Sequence, residues 1–418
     1  MRILIVTQYF YPENFRINDV ATELVQRGHE VHVLTNWADY PHPDPWIGSA
    51  YRKSGFSNWS GVEVQRVPIF SRGRGGWARR IANYLSFIAS ACLHFRASES
   101  KRPDVIYVWA SSPITVALPA LWIAKRYNVP PPVAIWVQDL WPETLQGLGS
   151  SWLGSNFVQS LMGCVVRYIY QRAQRLHLQS EGFIDSVKKW GAHDENLMTL
   201  PNWFVREVSN SPDSGAPAKP IPRPATILYA GNLGHAQGLD AVVELIDECA
   251  QKSLPVRWMF VGDGSCRADF QLKLQSLGRS SQVEFRDRVP PQEAAELEAK
   301  ADFLFLSLVD ADAFNRTLPS KFVGYLSAGR PILALAHGIT ATYVQRYQLG
   351  LCRRPKESRQ LANDLELLLS RGDEEQRTFG ENARALALRE FKKSMILDKL
   401  EMDLLRLSQG ERHHRGGS

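Results

Sequence analysis

The chain predicts an α/β protein built of two doubly wound domains facing a cleft. Three observations carry this. Its 418 residues exceed a single domain of roughly 100–200 residues. Short β-branched or apolar runs alternate with helical spacings along nearly the whole length, the mark of a parallel sheet covered on both faces. The alternation breaks over residues 203–226, where a stretch rich in proline, serine and glycine suits neither a helix nor a central strand and reads as a linker.

The elements follow in order. Residues 3–7 are a continuous apolar run, a buried first strand. Residues 18–27 put Val20 and Leu24 on one helical face, stop at Gly28 and offer Asn18 or Asp19 as the cap. Residues 31–35, 105–109, 133–137 and 176–179 are further short strands with helical stretches between them. One of those stretches carries the stripe Ile81, Tyr84, Leu85, Ile88, Cys92 and Phe95. After the linker come strands at 227–230, 256–261, 283–285, 303–308 and 332–336, and helices from Leu239 and from about Ser320. Residues 376–407 read as helical and amphipathic, and 411–418 as a disordered tail.

Composition narrows the class. With 44% hydrophobic and 22% charged residues, a disordered or fibrous chain is excluded. The net charge of +6 hints at an anionic partner without choosing among nucleic acid, a phosphorylated small molecule and a membrane surface. Five scattered cysteines with no C-x-x-C spacing do not make a disulfide framework or a zinc site, and fit a reducing cytosol. The first apolar run is too short for a signal-peptide core, and no stretch of about 18 apolar residues predicts a spanning helix.

Open α/β sheets bind ligands beyond the carboxyl ends of their strands, so the loops there hold the candidate site. After Ala230 come Gly231, Asn232, Gly234, Gln237 and Gly238, opening a helix. Such spacing lets backbone N–H groups approach an anion, though a tight turn reads the same way, and it is neither a Walker A loop nor G-x-G-x-x-G. Gly262-Asp263-Gly264 repeats the idea, with a turn the simpler explanation. Pro319 and Ser320 start a helix whose first turn holds Lys321. A cation there is unfavourable unless an anion sits nearby, and a diphosphate supplies one; a solvated surface lysine is the alternative. Asn14 and Arg16 follow the first strand. Asp139, Trp141 and Glu143 follow a later one, two carboxylates beside an indole, suited to sugar hydroxyls and a ring face or to a core-edge tryptophan with solvated acids. Asp310-Ala311-Asp312 is a D-x-D of a kind that can hold a divalent metal, but so short a match is common by chance. No nucleophile motif occurs. Arg72, Arg74, Arg79 and Arg80 around Trp77 suit an anionic bilayer interface, or else flank an ordinary covering helix. Nucleic acid is disfavoured, because these aromatics follow a helix pattern.

Several strings taken together resemble a known family. They are Gln8-Tyr9-Phe10-Tyr11-Pro12-Glu13-Asn14-Phe15-Arg16-Ile17-Asn18-Asp19, Arg27-Gly28-His29-Glu30-Val31, Ser112-Pro113-Ile114-Thr115-Val116, Val137-Gln138-Asp139-Leu140-Trp141-Pro142-Glu143, Tyr229-Ala230-Gly231-Asn232-Leu233-Gly234 with Gln237-Gly238-Leu239, and Leu318-Pro319-Ser320-Lys321 through Gly329-Arg330-Pro331. In this order they resemble the retaining family-four glycosyltransferases of GT-B fold, and within them the WbuB-like, L-fucosamine transferase-like branch of bacterial surface-polysaccharide synthesis.

The resemblance implies an acceptor-binding domain at 1–203, with 376–418 packing back on it, and a nucleotide-sugar-binding domain at 204–375. It implies transfer from a UDP-sugar, such as UDP-N-acetyl-L-fucosamine or another N-acetylated hexosamine or deoxyhexosamine donor, to a polyprenyl-diphosphate-linked acceptor. The products would be O-antigen, capsule or exopolysaccharide, made at the cytoplasmic surface of the inner membrane, with no metal or other cofactor and no nucleic acid. Carried onto this chain, Gly231, Asn232, Gly234, Gln237, Gly262, Asp263, Ser320 and Lys321 bind the donor, Asn14, Arg16 and Trp141 the acceptor, and Asp139, Lys321 and Glu143 serve catalysis. The chain departs from the pattern at the usual glutamate pair, where Arg316 and Gly324 stand, and in the glycine loop, where Asn232 and Gln237 replace Arg and Lys. More of the diphosphate charge then falls on Lys321, on backbone N–H groups and on Arg16. A nucleotide-sugar epimerase of the same fold and a non-catalytic, membrane-docked scaffold are the competing readings.

Overall fold

The computed structural model describes residues 1–40, 57–73, 76–148, 155–204 and 224–410. Arg74, most of the predicted linker and the tail 411–418 lie outside them. The chain divides into two units, Met1–Leu200 with the segment from Leu397, and Pro201–Ile396.

In the first unit eight strands run β1 (Arg2–Val6), β2 (Glu30–Asn36), β3 (Asn58–Trp59), β4 (Val62–Val67), β5 (Val105–Ala110), β6 (Val133–Val137), β7 (Arg175–Leu178) and β8 (Leu197–Thr199). Their order is β3-β4-β2-β1-β5-β6-β7-β8, parallel but for the short β3–β4 hairpin. The strands are apolar on both faces because helices cover both. Leu4, Val6, Ile106, Val108, Ile135 and Val137 point into one core cluster, which is packed by α2 (Trp77–His94), α3 (Ala117–Ala124), α4 (Asn156–Tyr170) and α5 (Ile184–Lys189). The alternate residues, such as Ile5 and Val33, are buried on the other face, the side of α1 (Arg16–Gln26), which packs on β2 and β4.

The sequence placed the cap of the first helix at Asn18 or Asp19. The helix starts two residues earlier, with Phe15 at the N-cap and no side-chain cap bond. Asn18 is buried and serves the preceding loop instead: its Oδ1 accepts from Tyr11 N at 3.1 Å and its Nδ2 donates to Glu13 O at 2.7 Å.

The second unit holds a six-stranded parallel sheet among the described residues. Its strands are β9 (Ala225–Ala230), β10 (Val256–Val261), β11 (Val283–Arg286), β12 (Phe303–Ser307), β13 (Ile332–Leu335) and β14 (Gly350–Arg353), in the order β11-β10-β9-β12-β13-β14. Between and after them come α6 (Leu239–Gln251), α7 (Arg267–Ser276), α8 (Pro291–Lys300), α9 (Asp312–Arg316), α10 (Ser320–Ala328), α11 (Ile339–Arg346), α12 (Ser358–Ser370) and α13 (Asp373–Glu390). The order reverses beside β9, so the loops after β9 and β12 diverge there and leave a ligand-sized crevice in such folds.

The sequence returned the chain to the first unit from 376. In the structure α13 packs on α10 within the second unit, and the return belongs to α14 (Lys393–Ser408). Phe391 is fully buried in the second unit's core and interrupts the helix, so the predicted single helical stretch is two helices.

Candidate functional site

The candidate donor site forms on the second unit, at the carboxyl ends of β9 and β10. Two loops stitch together there through backbone bonds: Gly231 N to Val261 O at 2.8 Å, Leu233 N to Asp263 O at 2.9 Å, and Cys266 N to Leu233 O at 2.9 Å. So close an approach demands glycine. Gly231 and Gly262 have φ of +143° and +137°, and a Cβ at 262 would run into the Gly231 carbonyl.

Lys321 stands in the first turn of α10, and its side chain runs back to these loops. Its Nζ lies 3.3 Å from the centroid of the Tyr229 ring, and a Cβ on Gly231 would be 2.9 Å from it. Among the described residues it forms no ion pair. Burial pushes its pKa down to about 7, against the opposing pull of Glu298. A half-desolvated ammonium on an aromatic face, beside a glycine loop and a helix N-terminus, is arranged for an arriving anion. Ser320 is exposed at the start of the same helix.

The other donor candidates divide. Asn232 is exposed at the loop's tip. Gln237 turns inward, its Oε1 accepting from Gly234 N at 3.0 Å, so it braces the loop. Asp263 is exposed and accepts from the next residue, Gly264 N, at 2.8 Å. Tyr229 was not singled out in the sequence, because a tyrosine in an apolar strand reads as core. Its hydroxyl donates to Asn232 O at 2.6 Å, and the Tyr325 hydroxyl oxygen accepts from Ala230 N at 3.0 Å. The two aspartates of the D-x-D part company: Asp310 accepts from Asn315 and meets His337, and Asp312 pairs with Arg316.

On the first unit the loops after β1, β2 and β4 are knotted by carboxylates. Glu13 is buried; its Oε1 accepts from Asp39 N at 2.9 Å and from Tyr40 N at 2.7 Å. Burial nevertheless raises its pKa to about 7. Asp39 accepts from Ser71 Oγ, Arg72 N and Asn83 Nδ2. Neither Glu13 nor Asp39 was given a site role from sequence, since nothing local marks a loop acid as buried. Asn14 is exposed beside this knot, and Arg16 is half-buried, its guanidinium pKa lowered by burial.

Asp139 follows β6. Burial raises its carboxyl to about 7, with a hydrogen bond from Ser112 opposing. Its two expected companions take structural places. Trp141, read as a ring face for a sugar, is only 5% exposed and packs in the core, because it shares an apolar face with Leu140 and Leu145. Glu143 turns away into the fold, its Oε1 accepting from Ser186 Oγ at 2.7 Å and Trp190 Nε1 at 3.0 Å.

The predicted basic-aromatic segment is also partly internal. Arg72 donates to Tyr9 Oη at 3.2 Å and lies over the Tyr40 ring. Trp77 packs against the core with Arg80 over it at 4.7 Å, and Arg79 is exposed beside Phe70. Among the described residues no helix is long and apolar enough to cross a membrane, and no group of three His, Cys, Asp or Glu side chains is placed to hold a metal.

Residues 14–203 match the glycosyl transferase 4-like domain, and residues 216–386 the glycosyl transferases group 1 domain. The chain is a glycosyltransferase. It is similar to the putative colanic acid biosynthesis glycosyl transferase WcaI of Escherichia coli K12, 25% identical over 355 residues that cover 81% of this glycosyltransferase and 84% of that protein. Among solved structures it is similar to sucrose-phosphate synthase from Thermosynechococcus elongatus, with a TM-score of 0.69 at 14% identity over 98% of this chain and 99% of that one. It is also similar to Anabaena HepE in complex with UDP, with a TM-score of 0.64 at 16% identity over 97% and 100% of the two chains. WaaG, a glycosyltransferase of lipopolysaccharide biosynthesis, gives a TM-score of 0.63 at 18% identity over 96% and 99%. At such identities the structural likenesses speak for the fold alone, which is that of the GT-B glycosyltransferases.

Proposed function

We propose that this glycosyltransferase moves a sugar, with retention of anomeric configuration, from a UDP-sugar to a polyprenyl-diphosphate-linked acceptor in the synthesis of a bacterial surface polysaccharide. The WbuB-like strings favour an N-acetylated hexosamine or deoxyhexosamine donor, such as UDP-N-acetyl-L-fucosamine. The names of WcaI and WaaG and the UDP bound to HepE support the pathway class and the nucleotide. The observation that carries the reading is the Lys321 ammonium, held over Tyr229 against the Gly231 loop with no carboxylate partner among the described residues.

In this mechanism the bond between the anomeric carbon and the β-phosphate oxygen breaks. Negative charge grows on the departing UDP, where Lys321 and the N-terminus of α10, beside the glycine loop after β9, stabilise it. The acceptor hydroxyl attacks on the same face, and its proton passes to the departing phosphate oxygen. No metal ion is needed in this scheme. Asp139 orients hydroxyls, with Arg16 and Asn14 on the acceptor side. Glu143 and Trp141 support Asp139 by fixing its loop rather than by touching substrate.

The test is Lys321→Ala. Turnover should fall about 10²–10³-fold, as when one preorganised donor is removed, and the thermal stabilisation given by UDP should vanish. Turnover and UDP stabilisation near wild type would reject the reading. Release of an altered nucleotide sugar in the absence of acceptor would favour an epimerase instead.

A further inference from the structure

The outer side of the first unit's helical layer is unlike that of any ordinary covering layer. α2, α3 and α4 contain no Asp or Glu at all. They lie side by side, α2 against α3 and α3 against α4, and their inner stripes fill the core beneath the sheet. Helices of this kind present charged residues of both signs to water, as α7 does with Asp269 and Lys273. Here the outward positions hold large apolar side chains, with the only charges among them cationic, as at Arg79 and Arg167. Leu93 is 80% exposed and Phe157 77%, and Leu85, Leu161, Trp122 and Tyr168 are exposed with them.

The cations stand at the ends of these stripes. Lys125 and Arg126 follow α3, and Arg126 lies 4.9 Å from the Trp122 ring centroid. Arg172 follows α4 and lies 3.9 Å from that of Tyr168. Arg96 follows α2 and is exposed. Leu85 stands mid-helix in α2 and Leu93 in its last turn, Phe157 and Leu161 in the first half of α4, and aromatic–arginine pairs and lysine at the C-terminal ends of α3 and α4; exposed apolar side chains beside cations and aromatics are the composition of a bilayer-interface surface.

We infer that the outer face of α2, α3 and α4 is a docking surface for an anionic phospholipid bilayer, entered by Leu85, Leu93, Phe157 and Leu161. The sequence had assigned this task to the segment around Arg72 and Trp77, of which Arg72 bonds Tyr9 and Trp77 packs against the core while Arg79 is exposed. The surface as built draws on α3 and α4, which no motif marked. A second copy of the chain is disfavoured as occupant, since two such faces would bring cations together without a carboxylate between them. Nucleic acid is disfavoured because the centre of the patch is aliphatic and offers phosphates nothing. The inference rests on the proposed lipid-linked acceptor for its purpose and on the helices alone for its evidence.

The experiment is sedimentation of the full chain with phosphatidylcholine vesicles containing none or roughly one-third phosphatidylglycerol, at about physiological salt. Wild type should bind the anionic vesicles and leave the neutral ones. The double variant Leu93→Glu with Phe157→Glu should lose at least about tenfold in binding, while its melting temperature and its stabilisation by UDP stay at wild-type values. Trp122→Glu, on the neighbouring helix, should weaken binding in the same direction. Undiminished binding by these variants overturns the inference. So does binding to RNA but not to vesicles, and so does a wild-type dimer that the double variant turns into a monomer. Vesicle binding without stabilisation by UDP would leave the docking surface standing and reject the donor reading.

Discussion

At the smallest scale the proposed chemistry rests on two residues that burial brings to near neutrality. Lys321, brought to about 7 by burial, is partly neutral in the empty enzyme at physiological pH, and a bound diphosphate would draw a proton onto it. UDP affinity should therefore hold below about pH 7 and fall as pH rises above it, by up to about tenfold per unit. Calorimetric titration of UDP across pH checks this, and a flat profile would count against Lys321 as the anion's partner. Asp139 runs the other way in stability. Its carboxyl is raised above the ordinary value to about 7 by burial, so ionising it costs the folded state above that pH, and the cost is gone below the unfolded value of about 4. Asp139→Asn should melt higher than wild type at about pH 8, show no gain near pH 4, and lose turnover. A variant less stable at both pH values would mean that the carboxylate is structurally required. Such a trade of stability for function is common at active sites.

At the scale of elements, two glycines inside helices make a paired comparison. Glycine in a helix interior costs about 1 kcal/mol relative to alanine. In α10 a Cβ at Gly324 would meet nothing within 4 Å, so Gly324→Ala should raise stability by about that amount. In α4 a Cβ at Gly163 would strike the Trp190 ring. Gly163→Ala should destabilise despite its better propensity, because the displaced indole also loses its hydrogen bond to Glu143. Denaturant unfolding of both variants separates the cases, and equal signs would refute the packing argument. Helix and strand positions were read well where a local pattern exists. The strands at 133–137 and 256–261 coincide with their predicted bounds, and the helices begin at Leu239 and Ser320 as expected. The hairpin of β3 and β4, β8 and the edge strand β14 went unread. They are short or half-exposed, and they become strands only because a neighbour offers hydrogen bonds, as β13 does to β14.

Across the whole chain, the last helix belongs to the first unit through a buried charge cluster. Asp403 accepts from Arg175 Nε at 2.9 Å and meets His177 Nε2 at 2.8 Å, all three side chains buried. Burial alone would raise the Asp403 carboxyl, but the bonds from His177 and Arg175 outweigh it and hold it below the ordinary range. Asp403→Ala strands a buried guanidinium and should cost about 3–5 kcal/mol, read as a lower denaturant midpoint; a loss under about 1 kcal/mol would show that water replaces the carboxylate. No spacing in the sequence links positions 175, 177 and 403, so this anchor was invisible to it. The sequence by itself determined the two α/β units, the glycine loop after β9 and the helix start that holds Lys321, because alternation, glycine spacing and helix starts are local properties of the backbone. Only the tertiary structure decided that Trp141 and Glu143 turn into the fold, that Tyr229 underlies the ammonium, and that three acid-free helices share an outward face with large exposed apolar side chains. Burial and partnership depend on which distant segments pack together, and a linear pattern does not contain that.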